Sequence, residues 1–288
     1  PKRRELPVPP LPEADCTAEA PRLTISVARL EQLSPALLEL GCPARVYIPL
    51  EEVSRLESLP GEGPEWCAVL PRVWRDRDEP ALRTLLERAR ALGFTGVLIG
   101  NLGHLPLVRG LNFHLYGDYG LNVFNSRSLA YLKDKELESA CVSFELRFAQ
   151  IRDLKKVLRA EAIVYGRLPL MIAENCLVQN ETGCRLDRQG PCVPEDGPCR
   201  CGQPNVLVDR TGAAFPLLPA YGHRTEIQNS KPLYLADRPE HRRLGLAYAR
   251  LRFTTETAEE CVSVVQNYLD AAPAAGDFTR GLYERGVE

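Results

Sequence analysis

The sequence predicts a (β/α) barrel-like (TIM-barrel-like) α/β domain, and three observations lead there. Short β-branched runs alternate with leucine-rich amphipathic stretches at least six times, with short connections. That is the pattern of parallel strands in right-handed βαβ units. Runs such as GVLIG and AIVYG are apolar on both faces, as strands covered by helices are. Polar residues then collect just after the strands: Asn101, Asp118, Asn122, Glu145, Arg167 and Glu174. The C-terminal strand ends are where barrels of this kind keep their chemistry. No GxGxxG or GxxxxGK[ST] opens a helix, so the nucleotide-binding α/β alternatives lack their phosphate loop.

Residues 1–20 read as a linker, because they are rich in proline and charge and have no apolar period. The chain starts at Pro1 and its one methionine is Met171, so the linker is expected to join an N-terminal part of the same longer chain. The barrel is expected over 21–272. LTISV is its first strand, and LEQLSPALLELG carries leucines at helical spacing up to Gly41. ARVYIPL with EEVSRLESL and WCAVLPRV with EPALRTLLERARALG repeat the unit. GVLIGN with the apolar segment 105–108, NFHLYGDYGLN with SRSLAYLKDKEL, and ACVSFEL with FAQIRDLKKVL continue it. AIVYG then breaks at Arg167 and resumes as LPLMIAEN. NVLVDRTGAAFPLL reads as a β-hairpin around Thr211 and Gly212. HRTEIQNSKPLYL is another extended run, and YARLRFTT with TAEECVSVVQNYLDAA returns to the βα style. The tail 273–288 has no period and reads as either a docked extension or a flexible end.

The formal net charge of −2 gives no global field toward nucleic acid or an anionic membrane. No apolar run reaches the length of a membrane span, so a cytoplasmic protein without membrane association is expected. The cysteines are the outlier. Disulfide frameworks belong to small, core-poor domains, and this chain of 288 residues is neither. Five of the ten cysteines, Cys176, Cys184, Cys192, Cys199 and Cys201, lie within residues 176–201. That insert is interrupted by glycine and proline, so no regular element orders it, whereas a thiolate-bound metal does. Zinc sites usually show CxxC knuckles, absent here, while iron–sulfur clusters tolerate irregular spacing. Spacing alone leaves zinc and iron–sulfur open. The remaining cysteines stand singly and read as small buried hydrophobes.

GDYGLNVFNS, SFEL, YGRLPLMIAENC and FTRGLYERGVE resemble the collagenase-like peptidases of unknown catalytic type, peptidase family U32, and more narrowly the C-terminal region of its long bacterial members. The resemblance runs from about Leu23 to the end. It implies a barrel with a cysteine site. In several members that site is a 4Fe–4S cluster serving hydroxylation of ribosomal RNA, transfer RNA or a quinone precursor; other members are described as proteases that degrade collagen. Carried over by position, it implies Cys176, Cys184 and Cys201 as ligands, with Cys199 close behind. The fourth cysteine of the family pattern, just upstream of an asparagine–serine pair, is replaced here by His223. His223 or Cys199 is therefore expected to complete the shell, with zinc as the alternative metal.

Three functional expectations follow. The leading one is an iron–sulfur protein assisting hydroxylation of RNA. The alternative is a peptidase acting on a peptide substrate, although HExxH and GxSxG are both absent. The third is a non-catalytic accessory domain with a structural metal. For an enzyme, Glu145, Arg167 and Asp118 are the expected catalytic groups and Asn101, Asn122 and Glu174 the substrate-binding ones. Asn125 is expected to cap a helix. A mouth open to solvent favours an enzyme, and one plugged by the chain's own residues favours the accessory role. RVWRDRD and ADRPEHRRLG are basic segments, each able either to meet phosphates or simply to face solvent.

Overall fold

The computed structural model describes residues 10–41, 43–182 and 203–286. Among them, eight parallel strands close a ring in chain order. They are β1 (Arg22–Ser26), β2 (Arg45–Pro49), β3 (Glu65–Val69), β4 (Gly96–Ile99), β5 (His114–Gly117), β6 (Ser139–Cys141), β7 (Arg159–Gly166) and, much later in the chain, β13 (Tyr248–Arg252). Ring closure runs through β6–β7, β7–β13 and β13–β1, all parallel. The predicted barrel is therefore the fold.

Helices cover the outside. α3 (Glu79–Ala91) starts with Glu79 and Pro80 and ends with Arg88 and Arg90, as the helix dipole favours. Its Leu82, Leu86 and Ala89 are buried against the barrel, each leucine contributing about 2 kcal/mol of apolar burial. α5 (Ser126–Asp134) is capped by Asn125, whose side chain accepts the N–H groups of Arg127 and Ser128 at 3.0 and 2.9 Å. α8 (Ala258–Leu269) opens with a reciprocal Thr257–Glu260 capping box. Shorter helices are α1 (Pro35–Gly41), α2 (Leu50–Val53), α4 (His104–Val108) and α6 (Phe148–Asp153). The expected helix from Leu30 is split, because Pro35 cannot donate within a helix and Ser34 instead accepts from Leu37 N–H at 3.2 Å. Of the single cysteines, Cys67, Cys141 and Cys261 are buried, Cys16 is half-buried, and Cys42 lies outside the described residues.

Between β7 and β13 the chain leaves the ring and builds a four-stranded antiparallel sheet. This sheet comprises β8 (Pro169–Ala173), β9 (Asn205–Val208), β10 (Ala214–Ala220) and β11 (Arg224–Gln228), ordered β8-β11-β10-β9. The β9–β10 hairpin turns at Asp209–Ala213, where Asp209 accepts the N–H groups of Thr211 and Ala213 and Gly212 takes φ +84°. LPLMIAEN, which has the composition of a barrel strand, thus belongs to the second sheet. Gly166 redirects it, with φ +116° and no room for a side chain: a Cβ there would lie 1.9 Å from the Arg252 carbonyl oxygen. α7 (Leu177–Thr182) follows β8, and β12 (Leu233–Tyr234) returns antiparallel beside β7.

Both ends of the described chain dock. Cys16 and Ala18 donate backbone hydrogen bonds to Lys156 and Gly245. In the tail, Arg280 forms a bidentate ion pair with Asp237, and the buried Tyr283 donates to the Ile163 carbonyl at 2.6 Å. Among the described residues no helix is long and apolar enough to cross a membrane.

The barrel interior departs from the apolar layers usual in this architecture. At its lower end Arg45 donates to Glu65, Ser139 and Tyr248 at 2.9 to 3.0 Å and lies against the Tyr116 and Tyr248 rings. In the middle, the fully buried Arg250 bridges Asp118, at 2.5 Å, and Glu161. Glu161 also accepts from Thr24 at 2.6 Å and Tyr47 at 3.2 Å. At the top Glu226, from β11, pairs with Arg72 at 3.0 Å and Arg252 at 2.9 Å. Four guanidinium groups thus face four carboxylates along the axis. Burial opposes the charge on Arg250, and Glu161 and Asp118 outweigh it, holding the guanidinium above its ordinary range.

Candidate functional site

β11 lies across the C-terminal mouth of the ring. Its Glu226 and Gln228 point down into it, both buried. Gln228 donates to Glu226 at 2.8 Å and accepts from Arg252 at 2.8 Å, while the Tyr119 hydroxyl reaches Glu226 at 3.5 Å. The chain's own residues therefore fill the mouth, and of the residues predicted there Asp118, Arg167 and Asn101 have definite partners. Asp118 is buried and receives Arg250. Arg167 donates to the carbonyls of Asn229 and Ser230, and so ties the chain leaving the ring to the chain returning to it. Asn101 donates to the Arg72 carbonyl at 3.1 Å and sits beside the buried His104. Asn122 is exposed, in the left-handed region that ends the turn after β5. Glu145 is half-buried after β6, and its carboxylate makes no hydrogen bond among the described residues.

The open cavity lies at one end of the small sheet, where the loop joining β10 to β11 meets the barrel loop after β3. It measures about 390 Å³ and is lined by Arg75, Arg77, Glu174, Asn175, Cys176, Gln179, Gly222, His223 and Arg224. Three segments meet there. The turn after β8 supplies Glu174 to Cys176, and the loop between β3 and α3 supplies Arg75 and Arg77. The tight loop joining β10 to β11 supplies Gly222 and His223. That loop holds only residues 221–223 between the paired Ala220 and Arg224, and both Gly222 and His223 adopt positive φ, +71° and +60°. Cys176 is 9% exposed, packed on Val178, Leu217 and Ile227, and its sulfur accepts the Gln179 N–H at 3.4 Å. Leu177 N–H donates to Thr225 at 3.0 Å, fastening α7 to β11. Cys176 and His223, predicted as partners in one metal site, thus line one cavity. Cys184, Cys192, Cys199 and Cys201 lie outside the described residues. Among the described residues no three His, Cys, Asp or Glu side chains group as a metal site.

Glu174 is the electrostatic centre of this cavity. Both its oxygens accept from Arg224, at 2.7 and 2.9 Å, and it also meets Arg75. These two guanidinium groups hold its carboxyl down to about 2. None of the three arginines was singled out as a site residue. The signal available was the basic run RVWRDRD, which contains Arg75 and Arg77; Arg224 gave none, since its role depends on the strand pairing of β11.

A carboxyl not foreseen in the sequence is Glu51, on α2 directly after β2. Burial pushes it up to about 7. Tyr221, in the loop joining β10 to β11, is raised first by its own burial and then by Asp78 and Glu51. A carboxyl whose folded value is raised favours the fold below its ordinary value near 4.5, and that advantage is lost as pH rises through 7. Glu51→Gln should therefore raise the unfolding free energy at pH 8 by about 1–3 kcal/mol and leave it unchanged at pH 4. Thermal melts at the two pH values check this; an equal shift at both would show that Glu51 ionisation is not the cause.

The fold and cavity define a class: a parallel eight-stranded barrel whose mouth is closed by an inserted sheet, with a thiol, an imidazole and arginines gathered where one end of that sheet meets a barrel loop. The sequence profile of Peptidase family U32 matches residues 59–204. The chain belongs to this family. No curated protein matches it. Among solved structures, the U32 peptidase Mk0906 aligns with a TM-score of 0.45 and 8% identity, over 83% of this chain and 95% of that one. The putative copper homeostasis protein CutC from Streptococcus agalactiae aligns at 0.38 with 13% identity, over 49% and 87%. A mutant tryptophan synthase α-subunit from Pyrococcus furiosus aligns at 0.36 with 10% identity, over 52% and 78%.

Proposed function

We propose that this U32-family chain is an iron–sulfur protein assisting the hydroxylation of an RNA, with its metal centre at the Cys176 cavity. The observation that carries the reading is the convergence of Cys176 and His223, far apart in sequence, on one cavity walled by arginines. The donors present suit a thiolate-ligated centre. Cys176 offers a sulfur already oriented by an N–H donor, and His223 sits on a loop whose backbone is fixed by the β10–β11 pairing. Cys176, Cys184 and Cys201 would hold a 4Fe–4S cluster, with His223 or Cys199 as fourth ligand, and the arginines would receive an anionic substrate. When bound, such a cluster supplies one-electron chemistry. Cys176 anchors the site, since its helix and strand are tied to β11, and Glu174 keeps Arg224 fixed beside it.

A specific observation also favours the accessory reading: Glu226, Gln228, Arg72 and Arg252 occupy the barrel mouth. In that case the metal at the same cysteines is structural, and the partner is another part of a longer chain. Zinc suits this role as well as a cluster does.

Anaerobic purification tests the first reading. A brown protein is expected, with broad visible absorbance and equal iron and sulfide. Cys176→Ala should lose the colour, Cys192→Ala should keep it, and His223→Ala should weaken it only if His223 is a ligand. A colourless protein with one stoichiometric zinc would replace the cluster by a structural metal. Mass spectrometry of RNA from cells lacking the gene tests the reaction. Unchanged RNA, together with peptide cleavage that Glu145→Ala abolishes, would turn the assignment to a peptidase.

A further inference from the structure

The cavity beside Cys176 is built to receive an anion with more than one attachment point. Its arginines differ in freedom. Arg224 has a side chain only 4% exposed, locked by two bonds to Glu174 and by the carbonyls of Tyr221 and Val73. Arg75 and Arg77 come from a separate loop, with side chains 54% and 69% exposed. Glu174 thus meets two guanidinium groups at once. Arg77 reaches Asp78 at 3.8 Å, and the other Asp78 oxygen is taken by the Arg75 backbone N–H at 2.8 Å. Three cations face one carboxylate on the cavity wall, with Asp78 behind. The cavity's net charge is therefore positive although the whole chain is at −2. A group bringing its own negative oxygens can take Arg75 from the exposed Glu174, which Arg224 still satisfies, and can add Arg77.

We propose that Arg75 and Arg77 clamp the phosphodiester backbone of the substrate RNA at this cavity, with Glu174 holding Arg75 until a phosphate displaces it. This rests on the RNA reading above and assigns the residues that grip the strand. Guanidinium groups suit the task, since their forked donors match phosphate oxygens. Two spaced cations on one loop grip a repeating chain of charges better than a single anion.

The test is fluorescence anisotropy of the whole chain, cluster-loaded, with a short labelled single-stranded RNA at several salt concentrations. Arg75→Ala and Arg77→Ala are each expected to weaken binding about 3- to 10-fold, for any sequence, and to lower the salt slope by about 1. Glu174→Gln is expected to tighten binding about threefold, because the competitor for Arg75 loses its charge. Arg152→Ala, which removes an exposed arginine of α6 paired with Asp153, should leave affinity and slope alone. Wild-type binding that neither arginine variant alters, or a Glu174→Gln variant that binds no tighter, overturns the clamp and leaves the cluster reading intact. Polyglutamate competing as well as RNA also overturns the clamp, in favour of an acidic peptide. A brown wild-type protein that binds no RNA overturns the RNA reading and the clamp together.

Discussion

Arg250→Met should lower the stability of the domain by about 3–5 kcal/mol, the cost of leaving buried carboxylates without their cation. Arg250 is 1% exposed and joins Asp118 and Glu161, which are themselves buried. Removing it strands two negative charges in the barrel axis, where Thr24 and Tyr47 are the remaining donors to Glu161. For a chain of this size the loss corresponds to a melting temperature lower by about 10 °C. Glu161→Gln added to Arg250→Met should recover part of it, because one stranded charge disappears with the cation. Calorimetry of the single and double variants decides. A single variant within about 1 kcal/mol of wild type would mean that the axial ion pairs are solvated and contribute little.

Gly166→Ala should be more damaging still. The residue combines φ +116°, which disfavours any side chain, with a Cβ position 1.9 Å from a backbone oxygen of β13. Backbone cannot swing aside as a flexible side chain can, so β7 and β13 must part where the ring closes. The expected loss is above about 4 kcal/mol, read as a protein that is insoluble or melts at least about 10 °C lower. Gly212→Ala is the matched control: also at positive φ, +84°, but with nothing within 4 Å of the added carbon. It should cost about 1 kcal/mol. Equal losses at the two glycines would mean that the contact with Arg252 is relieved by small shifts.

The ring itself was legible because its strands carry an outward apolar face and most are followed by an amphipathic stretch; Leu82, Leu86 and Ala89 of α3 repeat at helical spacing and are all buried. The barrel axis was not legible. YARLRF puts Tyr248, Arg250 and Arg252 at alternate positions, a pattern that equally describes a strand with one face in water. Only closure of the ring turns that face inward and supplies Glu161, Asp118 and Glu226 opposite it. The excursion at Arg167 was visible as a break, but not its destination, because LPLMIAEN has a barrel strand's composition and the redirecting force is a clash at Gly166. In the site, the Thr211–Gly212 hairpin was readable from its turn residues, but His223 reaches Cys176 through the pairing of β11 with β8, which no turn residue announces. Arg75 lies about a hundred residues before Glu174, and no local pattern announces that the two will meet.

The position of β13 has a consequence for how the chain reaches this state. β1 is made first, yet one of its two neighbours, β13, is more than two hundred residues away, and β7 waits for the same strand across the whole inserted sheet. Contacts so distant in sequence form slowly, since the entropy of closing the intervening chain is spent before they return anything. Until β13 arrives, β1 and β7 are the open edges of a seven-strand curve, and Glu161 and Asp118 have no cation between them. A half-made ring of this kind pairs readily with other half-made rings. Yield on refolding should therefore fall with protein concentration long before native stability becomes limiting, and the arrival of Arg250 both seals the edge and neutralises the axis in one step.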